Sequence, residues 1–164
     1  YLRPRGNFNY GLAYRSVQQG LVLEGADSTP FQQWTPIDFW VDAGSRWFKL
    51  KHVVSGLCIP NGDNRVGQAL KLVACSSPNT YWMTLKVGSG PAYPIESKRS
   101  VYANDCTYID PIKPCSAKWF ELYLDVLKDS YCQGCAVGIW TWEGGASNQF
   151  WNFYDSKGNQ VTNI

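Results

Sequence analysis

One tryptophan setting recurs along this chain, and the recurrence restricts the fold more than any other feature. A polar or small approach, a Trp, and a hydrophobe two or three positions on appear four times. They read SRWFKL (Trp47), TYWMTL (Trp82), AKWFEL (Trp119) and QFWNFY (Trp151), at intervals of 35, 37 and 32 residues. Between Trp47 and Trp82 lies a unit made of FKLKHVV, SGLCIP, the Gly/Asn loop NGDNRVG, QALKLVAC and the loop SSPN. About four short strands cannot bury an apolar face alone, whereas three such units around a pseudo-threefold axis share one core.

The segments between these tryptophans alternate with period two. In WFELYLDVLKD (119–129), Phe120, Leu122, Leu124 and Val126 fall on one side and Glu121, Tyr123 and Asp125 on the other. WFKLKHVV (47–54) and QALKLVAC (68–75) behave alike. Gly and Pro together number 24 and are scattered, as expected for many short strands joined by turns. The expected fold class is all-β, a β-trefoil of three Trp-ended lobes with an N-terminal extension. Residues 41–164 form the trefoil domain, with its lobes over about 41–155, and residues 1–40 an extension or a decorated lobe. Four tryptophans enclose three intervals, and SVQQGLVLEGADSTPFQQW (16–34) is itself lobe-like, so one alignment must give way.

With 164 residues and a formal charge of +2, a single nearly neutral globule is expected. No basic run favours nucleic acid, and no apolar stretch approaches the roughly 18 to 20 residues of a membrane span. Six Cys suit a disulfide-bearing secreted domain. The chain starts at Tyr1 and its single Met is Met83, which fits a processed mature chain and equally a trimmed one. No Asn-x-Ser/Thr sequon is present.

The stretch SGLCIPNGDNRVGQALKLVACSSPNTYW resembles a repeat of the ricin-B-type lectins, in which a Gly-Leu-Cys strand, a strand ending in Cys and a terminal Gln-x-Trp recur three times. Two literal Gln-x-Trp triplets occur, Gln32-Gln33-Trp34 and Gln149-Phe150-Trp151. The resemblance covers 47–82 and 129–155 best. It implies a β-trefoil whose lobes bind sugar through an Asp, an aromatic and an Asn just before Gln-x-Trp.

The chemistry suits that ligand. A sugar offers an apolar C–H face and a rim of hydroxyls, met by an aromatic ring and by a carboxylate with an amide. The last lobe holds all three. Asp129 lies nineteen residues before Asn148, Trp140 lies eight before it, and Gln149 follows. Trp142 is on the same side of its strand as Trp140, so either ring serves as platform, and Glu143 lies at the rim. In the second lobe, Pro60, two residues after Cys58, stands where the family has Asp, LKLVAC carries no aromatic, and Asn61 and Asp63 are displaced. Before Trp119, Asn104, Asp105 and Tyr108 form a candidate site, with Lys118 at the Gln position; Asp27, Trp34 and Trp40 are unaligned. The structural alternative is that Trp47, Trp82, Trp119 and Trp151 are core and Gln149 braces a turn.

Cys58 and Cys75 flank one turn, as lobe disulfides do in the resembled family. Cys106 with Cys115 and Cys132 with Cys135 are the other local pairs, out of fifteen possible pairings. The sole histidine, His52, lies far from Cys106–Cys135, which disfavours zinc, and Cys132-x-x-Cys135 lacks the βαβ setting of a redox motif. His52 is expected at the surface. No nucleophile elbow or phosphate loop is present, and a carboxylate pair such as Glu143 with Asp129 is more simply solvated. No catalytic residue, cofactor or metal is expected.

These features predict a secreted, non-enzymatic, metal-independent lectin-like protein whose partners are glycans or glycoproteins. It would bind galactose-type or related glycans in a shallow site of the last lobe. Two alternatives stand beside it. One is a cell-binding or assembly subunit of a multi-chain toxin or complex, since DAGSRWFKLKHVVSGLC is distantly similar to the ricin-like subunits of heterotrimeric bacterial genotoxins. Phe31, Trp34, Phe39 and Trp40 of the N-terminal segment would then meet a protein partner. The other is a β-trefoil protease inhibitor using the 106–115 loop with Lys113, because YCQGCAVGIW is similar to the closing strand of Kunitz soybean-type inhibitors.

Overall fold

The computed structural model describes residues 1–61, 67, 69–85, 92–98, 101–104, 117–142, 144 and 146–162, with 101–104 and 117–120 described by their backbone alone. Among the described residues the helices are short 3-10 turns, and none is long and apolar enough to cross a membrane. The strands are β1 (Leu2–Pro4), β2 (Tyr10–Tyr14), β3 (Leu21–Gly25), β4 (Trp34–Asp42), β5 (Ser45–His52), β6 (Trp82–Thr84) and β7 (Tyr93–Ser97). They continue as β8 (Val101–Asn104), β9 (Ala117–Phe120), β10 (Leu122–Val126), β11 (Val137–Thr141), β12 (Phe150–Tyr154) and β13 (Gln160–Val161).

Six of them run side by side in the order β1-β12-β7-β6-β5-β4, so the first strand of the chain is paired with the last long one. Three hairpin-like pairings cap this sheet. They are β2 with β3, the bridge of Cys58 with Val73, and β10 with β11. Six barrel strands and three capping pairs are the architecture of a β-trefoil, the expected fold.

One hydrogen bond marks each lobe. The indole Nε1 of Trp34 donates to Leu12 O at 2.9 Å, that of Trp82 to Ile59 O at 3.0 Å, and that of Trp151 to Leu124 O at 2.9 Å. All three rings are buried, so each indole N–H is satisfied by a capping strand while the ring fills the shared core. Around them pack Leu12, Leu23, Leu50, Ile59, Ile95, Leu124 and Ile139. Burying each of these contributes roughly 1.5–3 kcal/mol.

The lobe-ending tryptophans are therefore Trp34, Trp82 and Trp151, and the repeat frame drawn through Trp47 and Trp119 is corrected. In β5 the alternation turns Phe48, Leu50 and His52 inward, which leaves Trp47 on the outer side, half-buried against Trp40 across the hairpin. Trp119 belongs to β9, which pairs with β8 in a separate two-stranded sheet inserted between β7 and β10. Residues 1–40 supply β1 to the six-strand path, the β2–β3 cap and Trp34 to the core.

Two more expectations change. His52 is 1% exposed, because its pairing with Trp34 carries the imidazole into the core. There its ring nitrogens meet Ser55 Oγ and Phe31 O, each at 3.0 Å, and burial lowers its pKa. Trp34 likewise is no surface aromatic, whereas Phe39 and Trp40 of the β4–β5 hairpin are 47% and 43% exposed. The disulfides Cys58–Cys75 and Cys132–Cys135 are both formed. Cys106, Cys115, Asp63, Asp105, Tyr108, Lys113 and Glu143 lie outside the described residues, as do the side chains of Asn104, Lys118 and Trp119.

Candidate functional site

The last lobe opens a cleft of ≈ 300 Å³ between the β10–β11 cap, the turn that follows β10 and the turn that precedes β12. Its floor comes from the ladder register. Asp125 stands opposite Gly138 and Tyr123 opposite Trp140, so a glycine leaves open space beside the Asp125 carboxylate. Asp125 and Trp140 line the cleft on neighbouring strands.

The opposite wall is the 3-10 turn Ser147–Gln149. It presents Asn148 to the cleft and turns Gln149 under it. Asn148 Nδ2 donates to Asp125 Oδ2 at 3.1 Å, which fixes the amide. Asn148 is 4% exposed, and its Oδ1 has no hydrogen-bond partner. A buried acceptor left unpaired costs about 1–3 kcal/mol, a cost that a ligand hydroxyl removes.

Lys128 and Asp129 form the rim, both at positive φ (62° and 49°). Consecutive left-handed residues without glycine store strain, of order 1–3 kcal/mol each, and such strain gathers at ligand clamps. The rim is tied down by Leu127 N donating to Ala136 O at 3.1 Å, and the Cys132–Cys135 bridge closes the segment that joins it to β11. Tyr131 sits behind the rim with its hydroxyl 3.3 Å from Ser147 Oγ. Burial, together with the nearby Asp129, pushes its pKa up to about 12, so it stays a neutral phenol.

The second lobe contributes Gly67. Its N–H donates to Ile139 O at 2.9 Å, and it lies close to Trp140, where a Cβ would fall 2.8 Å from Cζ3. With φ at +78°, that position takes glycine alone without strain. The cleft is thus walled by two lobes.

Of the site residues expected from the sequence, Asp129, Trp140 and Asn148 come together in the cleft. Gln149 is fully buried and donates from Nε2 to Thr141 O at 2.7 Å, beneath the cleft rather than in it. Trp142 lies beyond the lining, packed on Tyr123 and Phe150 at centroid distances of 4.9 and 5.9 Å. Asp125, Lys128 and Gly67 were not expected. The signal for Asp125 lay in the alternation of 120–126, which puts it on the outward face with Tyr123.

On that same face, Tyr123 O–H donates to Glu121 Oε2 at 2.8 Å, with Glu96 Oε2 at 3.4 Å. Glu96 is 8% exposed, and burial with the neighbouring Glu121 pushes its carboxyl up to about 7.

The repeated indole bonds locate the matching positions in the other lobes. In the first lobe, Gln32 Nε2 donates to Gly25 O as Gln149 does to Thr141 O. Ala13, Glu24 and Phe31 therefore stand where the last lobe has Asp125, Trp140 and Asn148. Arg15 fills this place, with Nε 2.6 Å from Glu24 Oε1 and its guanidinium 4.7 Å over the Phe31 ring. In the second lobe, the same register gives Pro60, Val73 and Asn79, with neither carboxylate nor ring.

No protein-family model matches this chain, and no curated protein matches its sequence. Solved structures do. A designed threefold-symmetric protein, ThreeFoil, matches with a TM-score of 0.65 at 18% identity over 92% of this chain and 93% of its own. A mosquitocidal holotoxin matches with 0.62 at 16% identity, and an exo-β-1,3-galactanase from Clostridium thermocellum with 0.64 at 22%. Each covers 92% of this chain, which spans only 16% of the holotoxin and 28% of the galactanase. An alignment of that extent takes in most of residues 1–40. Likeness at these identities establishes the fold, a β-trefoil.

Proposed function

We propose that this chain is a secreted, non-enzymatic carbohydrate-binding protein of the ricin-B-like kind, taking the end of a galactose-type glycan in the cleft of its last lobe. The observation that carries this reading is the buried, unpartnered Oδ1 of Asn148, held by Asp125 in the same cleft as the Trp140 ring. Asn148 and the carboxylates take the vicinal hydroxyls, and the indole takes the C–H face. Binding needs no metal, because the hydroxyl partners are all side chains of the lobe.

Among the described residues the three lobes leave one such site, since Arg15 fills the first lobe and Pro60 with Val73 removes the second. Disulfides at Cys58–Cys75 and Cys132–Cys135 suit an oxidising, extracellular setting. A second reading, a cell-binding subunit of a larger assembly, draws on the exposed Phe39, Trp40 and Val41 at the β4–β5 hairpin. The two readings are compatible, because no residue of the hairpin lines the cleft.

A glycan array followed by calorimetry tests the proposal. Retention of galactose-ended glycans, with one sugar bound per chain, is expected. An array without a specific signal, or a stoichiometry of two or three, overturns it.

A further inference from the structure

We propose that the ligand is at least a disaccharide, whose second ring sits on Trp142 beside Glu121, next to the cleft on the same face of the β10–β11 hairpin. This rests on the function proposed above and extends it to a longer glycan.

The hairpin register carries the inference. Tyr123 pairs with Trp140 and Leu122 with Thr141, so the next step outward brings Glu121 to the level of Trp142. Because strand side chains alternate, Glu121, Tyr123 and Asp125 share one face, and Trp142 and Trp140 share it with them. That face carries Asp125 and Trp140 as diagonal neighbours across the Tyr123–Trp140 pair and, one step further out, Glu121 opposite Trp142. Two residues along a strand advance about 6–7 Å, the scale on which one pyranose follows another in a chain.

Trp142 is built as a platform. Tyr123 and Phe150, 2% and 3% exposed, hold it from below at centroid distances of 4.9 and 5.9 Å. The indole itself is 37% exposed. A large ring held by buried neighbours and still partly exposed binds without losing much freedom, which favours affinity. Its carboxylate partner is also held. Glu121 is exposed, yet its Oε2 accepts the buried Tyr123 hydroxyl at 2.8 Å, which orients the group toward a hydroxyl of the second sugar.

The cleft alone explains none of this. Trp142 does not line it, and an exposed tryptophan braced by two buried aromatics has no role in the core. Its position one step from Trp140 gives it one.

The test titrates galactose and the β1,3-, β1,4- and β1,6-linked disaccharides of galactose into wild type, Trp142→Ala and Glu121→Gln. At least one disaccharide is expected to bind wild type about tenfold more tightly than galactose. That advantage should vanish in Trp142→Ala and shrink in Glu121→Gln, with galactose binding kept. Glu121→Gln preserves the shape of an exposed side chain, so it reports even where Trp142→Ala unfolds. Equal affinity for galactose and every disaccharide in wild type overturns the second subsite alone, as does an advantage that survives both substitutions. Failure of all four sugars to bind overturns the function proposed above with it.

Discussion

Asp125→Ala is expected to lower affinity for galactose-ended glycans about 10- to 150-fold while leaving the fold intact. The range follows from one hydrogen bond to a charged acceptor, which contributes roughly 1.5–3 kcal/mol. Two effects combine. The carboxylate lines the cleft opposite Gly138, where a sugar hydroxyl would meet it. It also receives Asn148 Nδ2 at 3.1 Å, and without it the amide loses the partner that aims Oδ1 into the cleft. Asp129→Ala removes an exposed rim group and is expected to cost only a few-fold, because an exposed charge is screened by water. Calorimetric titration of both variants, with a thermal melt of each as control, separates them. Asp129→Ala falling further than Asp125→Ala would move the site out to the rim.

Trp151→Ala is expected to destabilise the chain by about 3–5 kcal/mol, against about 1 kcal/mol or less for Trp47→Ala. Trp151 is fully buried at the axis of the core, and its loss removes the indole bond to Leu124 O along with the ring. Trp47 is half-buried on the outer side of β5, where water and the β4–β5 hairpin close over the gap. At roughly 2–4 °C per kcal/mol for a chain of this size, the melting temperature of Trp151→Ala falls by about 6–20 °C. Thermal unfolding followed by circular dichroism measures both. Equal losses at the two positions would restore the frame that runs through Trp47.

That frame shows what the sequence made legible and what it hid. The period-two alternation of 119–129 separated the faces of β10: all five residues are buried, but Leu122, Leu124 and Val126 join the hydrophobic core while Asp125 lines the cleft. The β-trefoil and the two local disulfides were also readable from spacing and resemblance. The lobe boundaries were not. SRWFKL shares with the other settings a Trp followed by a hydrophobe two or three positions on, but the phase of β5 is set by its pairing with β4 and β6, which turns Phe48 inward. AKWFEL lies in an inserted hairpin, and an insertion leaves no mark in a spacing close to the others. The candidate site was half legible. Asn148 and Trp140 follow from the family resemblance, by their places relative to Gln149-Phe150-Trp151. Asp125 needed the ladder register opposite Gly138, and Gly67 comes from another lobe altogether. Contacts between lobes depend on where the threefold arrangement folds a distant loop, which local pattern does not encode.

The central claim is that sugar binds in the cleft of the last lobe, and the indole N–H signals of the eight tryptophans test it most directly. Titration of nitrogen-15-labelled protein with a galactose-ended glycan is predicted to shift the Trp140 signal. The signals of Trp34, Trp82 and Trp151, each bonded to a backbone carbonyl inside the core, should stay in place. A Trp140 signal unmoved at saturating glycan, or shifts confined to Trp40 and Trp47 of the β4–β5 hairpin, would contradict it.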